Sequence, residues 1–76
     1  MNKITDWKLA QVLELALDMT NCIINRQNLI SDIEMEIEYY GVKTPELEIE
    51  ILKYEKDIQK FTDKREIYLK ELKTLI

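Results

Sequence analysis

The side chains able to do chemistry in this chain are its carboxylates, one thiol and two guanidinium groups placed among apolar residues. Fifteen Asp and Glu stand among 76 residues, with a single Cys and no His. Glu34, Glu36, Glu38, Glu46, Glu48 and Glu50 crowd around one short link, Tyr40-Gly41-Val42-Lys43-Thr44-Pro45. Carboxylates so gathered suit a hard cation or a basic partner surface. The cation reading lacks a frame, because neither EF-hand spacing nor a Gly-bearing ligand loop is present.

Enzymatic readings fail on residue types. Di-iron chemistry in a helical bundle wants Glu-x-x-His pairs, and His is absent. A helical metal hydrolase of the pyrophosphohydrolase kind wants acids three apart on two helices, whereas the spacings here are mostly two and four. Cys22 has no His to activate it and reads as an apolar filler. One Gly cannot build a phosphate-cradling loop. The expectation is a non-enzymatic protein without cofactor, metal or small-molecule substrate.

Which elements carry these residues follows from periodicity. Leu9, Val12, Ala16, Met19, Ile23, Arg26, Ile30, Ile33, Ile37 and Tyr40 alternate steps of three and four without a slip. Leu47, Ile51, Tyr54, Ile58, Phe61, Arg65, Tyr68, Leu72 and Leu75 do the same. A sustained period of 3.5 is a coiled-coil seam, so the pattern predicts two long helices, about 5–40 and 45–75. Thr5 is the expected cap of the first, with Ile4 stapled onto Leu9 and Asp6 in the first turn. Gly41 suits the left-handed position past its end, with Val42 reaching back to Ile37 as in a Schellman motif. Thr44 caps the second helix, Pro45 occupies its first position, and Glu46 and Glu48 face the positive end of its dipole. The predicted fold is all-α: one domain, residues 1–76, a long antiparallel hairpin whose paired numbers sum to about 84.

Such a chain is near the size where one core supplies only about 3–5 kcal/mol of net stability. Neither a disulfide nor a zinc site is available as a staple. From Leu9 to Ile24, eleven of sixteen residues are apolar, and Leu13, Leu15, Leu17 and Ile24 lie off the seam, as do Ile67, Leu69 and Ile76 on the other arm. A helix apolar around most of its circumference needs more than one neighbour. These seven residues are the expected interface of a homodimer forming a four-helix bundle. Arg26 and Arg65, polar residues in the seams, are expected to specify register and oligomeric state, with Asp57 the partner of Arg26.

Toward the turn the chain is acidic. Residues 31–50 hold seven acids against Lys43 alone, a local net of −6 in a chain of net −4. That balance argues against nucleic acid as the main ligand, since phosphate-binding modules show a basic stripe. The run LAQVLELAL after Lys3 and Lys8 is a poor signal peptide, interrupted by Glu14 and lacking a cleavage site. No 20-residue apolar window exists, so no membrane partner is expected, and a cytoplasmic location suits the single free thiol.

The link Gly41-Val42-Lys43-Thr44-Pro45-Glu46-Leu47 resembles that of the small aspartyl-phosphate phosphatases of the sporulation regulator family. Their Ser-Gln-Glu-Leu-Asp signature is replaced here by Ile51-Leu52-Lys53-Tyr54-Glu55, so no catalytic role carries over. The expected function is that of an interaction module, an adaptor or inhibitor that binds a protein partner through the acidic tip or leftover apolar faces. The alternatives are a structural subunit of a larger helical assembly and a Rop-like nucleic-acid-binding four-helix bundle using Lys53, Lys56, Lys60, Lys64 and Lys70.

Overall fold

The structure, a computed structural model, describes the backbone of residues 3–76 and the side chains of residues 6–76. Two helices, α1 (Lys3–Tyr40) and α2 (Pro45–Leu75), pack antiparallel into a hairpin of 59 × 16 × 13 Å. Helix α1 starts two residues before the expected cap, so Thr5 sits inside the first turn; neither Gly nor Pro stands there to stop the helix. The Ile4 staple lies outside the described side chains. The polar run Asn25-Arg26-Gln27-Asn28 does not interrupt α1, because the seam keeps its phase through it.

The turn is built by three residues in succession. Gly41 adopts φ +68°, a left-handed conformation that costs an L side chain, and its N–H donates to the Ile37 carbonyl at 2.8 Å. That single bond makes an αL ending in place of the expected Schellman motif. Val42 adds no second bond and is exposed, because the chain is already heading into the extended backbone that Pro45 demands of Thr44. Thr44 takes that conformation, φ −86° and ψ 155°, and its Oγ1 accepts the Leu47 N–H at 3.3 Å. Pro45 follows where a missing N–H costs nothing.

Both seams turn inward. Val12, Ala16, Ile23, Ile33 and Leu72 are buried, and the other seam residues are half-buried, with one exception. Tyr40 is 68% exposed, since its counterpart would be Thr44, where the turn offers no side chain to cover it. Val12, 1% exposed, and Leu72 have numbers that sum to 84, as do Ile33 and Ile51. The ion pairs Lys8–Glu71 near the open end and Arg26–Asp57 at mid-length join residues that the expected register places beside each other.

Nothing lies within 4 Å of a Cβ built on Gly41, so a substitution there meets only backbone strain. Gly41→Ala is expected to cost about 1 kcal/mol, a shift of about 1 M in the urea midpoint for a chain this size. Val42→Ala, at an exposed position, should move the midpoint by less than half as much.

Candidate interaction surfaces

Two arginines interrupt the apolar seam, Arg26 on α1 and Arg65 on α2. Arg26 Nε lies 3.5 Å from Asp57 Oδ2 across the hairpin, with both side chains about one-third exposed. Its Nη1 donates to Asn25 Oδ1 at 2.9 Å, and the guanidinium sits 5.5 Å from the centre of the Phe61 ring. Arg26 thus pairs its Nε and Nη1 and lays its cation over an aromatic face. Arg65 is arranged differently: its Nε is buried and has no hydrogen-bond partner. A buried donor left unpaired costs about 1–3 kcal/mol. The two seam arginines are chemically unequal.

Around this layer the 3.5-residue repeat sorts the leftover residues onto two flanks. One flank carries Lys8, Leu15, Cys22 and Leu29 on α1 and Lys64 and Glu71 on α2, and it is closed by the Lys8–Glu71 ion pair at 3.5 Å. Leu15, Cys22 and Leu29 are half-buried there. The opposite flank carries Leu13, Leu17 and Ile24 on α1 with Leu69 and Ile76 on α2, all exposed. The seven residues expected to form one interface therefore divide. Five line a continuous flank of the open half, Leu15 is already tucked into the hairpin on the other side, and Ile67 points outward beyond Leu15's flank. The period separates Leu15 from Leu13 and Leu17, and the structure adds which of the two flanks is covered.

At the turn, Glu34, Glu36, Glu38, Glu46, Glu48 and Glu50 are all exposed. Lys43 reaches Glu48 at 3.6 Å with both side chains more than half in water, and such a pair contributes little. The Tyr54 hydroxyl donates to Glu50 Oε1 at 3.2 Å, and this bond to the carboxylate, ahead of slight desolvation, raises the Tyr54 pKa above its usual 10.0. Among the described residues, Glu34, Glu36, Glu38 and Glu46 have no cation within 4.0 Å. The tip is a cluster of carboxylates held on two rigid helices and almost unneutralised.

The structure also shows a surface that sequence reasoning passed over. Ile49, Leu52, Lys53, Lys56 and Asp57 line a shallow groove of about 430 Å³ on α2. Ile49, Leu52 and Met35 are exposed apolar residues within the acidic half. The spacing of Ile49, Leu52 and Lys56 by three and four was the available signal, masked by the glutamates between them. Among the described residues no three of Asp, Glu, Cys and His gather as metal ligands. No described helix is long and apolar enough to cross a membrane.

The inequality of the arginines is open to test by thermal melts. Arg65→Leu removes an unpaired buried donor and is expected to raise the stability by about 1–2 kcal/mol. Arg26→Leu removes a partly exposed pair and is expected to change it by less than about 1 kcal/mol. The double variant should melt above the wild type and show a less sharply defined oligomeric state, because the polar layer that favours one register is gone.

Searches with the chain against protein-family descriptions, curated proteins and solved structures find no match.

Proposed function

We propose that this chain is a non-enzymatic interaction module that pairs with a second copy through its open half and binds a basic protein surface with its acidic tip. The observation that carries the reading is the contrast between its two ends. An uncovered apolar flank occupies one end, and a cluster of exposed carboxylates with a single weak counter-ion occupies the other. Like charges held on facing helices weaken the hairpin by a few tenths of a kcal/mol per pair. A tip not optimised for its own stability fits a surface kept for a partner.

The apolar flank also suits a second reading, a structural subunit whose open half belongs inside a larger helical assembly. In that case the purified chain aggregates, where the first reading gives a discrete soluble particle. The lysines of α2 favour nucleic acid less, since Lys53, Lys56, Lys60, Lys64 and Lys70 share the helix with Glu55, Asp57, Asp63, Glu66 and Glu71.

Charge reversal separates the surfaces. With Glu34, Glu36, Glu48 and Glu50 changed to Lys, capture of host proteins by the immobilised chain is expected to fall at least tenfold at about 150 mM salt. Helix content should be retained, because all four sites are exposed. Undiminished capture of every partner would place recognition on the apolar flank instead.

A further inference from the structure

From the distribution of charge along the uncovered flank, we infer that the second copy docks antiparallel and overlaps only the open half, leaving two acidic tips at opposite ends of the dimer. The inference rests on the pairing proposed above and specifies its geometry. In the open half this flank reads Ala10, Leu13, Leu17, Thr20 and Ile24 on α1, without a charge, and Thr62, Glu66, Leu69, Lys73 and Ile76 on α2. In the half beside the turn the same flank reads Gln27, Ser31, Glu34 and Glu38 on α1 and Glu48, Leu52, Glu55 and Gln59 on α2.

Three arrangements of two copies are available, and these residues discriminate between them. Parallel docking along the whole length lays α1 of each copy on α2 of the other, which brings Glu34 and Glu38 beside Glu48 and Glu55 of the second copy and leaves Glu66 with no cation at its own level. Antiparallel docking along the whole length lays each helix on its own copy and sets Ala10 against Glu34, Leu13 against Ser31, Leu17 against Gln27 and Glu66 against Glu55, so apolar residues meet polar ones and like charges meet. Antiparallel docking of the open halves alone matches apolar residues to apolar residues and leaves all tip carboxylates in water. It also joins the flank's two charges: an axis near Leu69 puts Glu66 of each copy level with Lys73 of the other. Among the described residues neither has an ion-pair partner within its own chain.

The area agrees. Half the 59 Å length at a width of 16 Å gives a footprint of about 470 Å² per copy, near the roughly 1,000 Å² total at which specific interfaces begin. The dimer should accordingly dissociate on dilution.

The test uses the full chain carrying Cys22→Ser and Val42→Cys, a spin label on the new thiol, and light scattering on the same sample. From the axis to the turn is about 25 residues of helix, or about 37 Å, so the two labels should lie about 75 Å apart. A dimeric mass with that separation supports the inference. A dimeric mass with labels within about 30 Å, or near the 59 Å of a full overlap, overturns the geometry and leaves the pairing standing. A monomeric mass at high concentration overturns both. Leu17→Glu should abolish the dimer with helix content kept, and Ile67→Glu should leave it intact. Glu66→Lys should weaken association by up to about fivefold, and adding Lys73→Glu should restore it; a double variant as weak as the single would count against the antiparallel match.

Discussion

Two helices can offer each other one seam apiece, and that geometric limit shapes everything else in this molecule. Each seam covers about two positions in seven, so apolar residues beyond them, such as Leu13, Leu17 and Ile24, stay largely in water unless something outside the hairpin covers them. Among the described residues only Val12, Ala16, Ile23, Ile33 and Leu72 are buried, a thin core for a 59 Å rod. The surplus apolar residues of the open half are therefore a property of the architecture.

The same limit gives weight to the polar layer. In a broad core one arginine would be a local defect, whereas here Arg26 and Arg65 each replace an apolar residue in a single file of contacts. Arg26 is accommodated by Asp57 across the hairpin, by Asn25 and by the Phe61 ring. Arg65 lies deeper in the open half with its Nε unsatisfied. Stability near the turn and near the open end thus rests on different terms. The turn is held by Gly41, Thr44 and Pro45, and the open end by apolar contacts that one chain leaves incomplete.

Much of this is legible in the sequence because local and long-range signals agree. Gly41, Thr44 and Pro45 mark the turn through backbone chemistry that needs no tertiary context, and the 3.5 period then determines which residues meet. What escaped was whatever depends on where the hairpin stops. Tyr40 continues the period but has nothing opposite it, and Val42 cannot complete a Schellman ending because Pro45 pulls the chain away. That Leu15 is half-buried while Leu13 and Leu17 are exposed escaped for a related reason. The period sets them on opposite sides of the seam, but which side the second helix covers depends on packing that the period does not contain. Leu52 and Ile49 were hidden by composition, since a local excess of glutamate obscures two apolar residues between them.

A hairpin that leaves one flank open on its own should gain stability from a copy that covers it. Thermal unfolding followed by circular dichroism over a hundredfold range of chain concentration reads that dependence directly. If two copies unfold together, mass action raises the Tm by about 5–10 °C from the bottom of the range to the top. A Tm that holds constant across the range, with a monomeric mass throughout, would mean that the hairpin stands alone and that its apolar flank has no role in its folding.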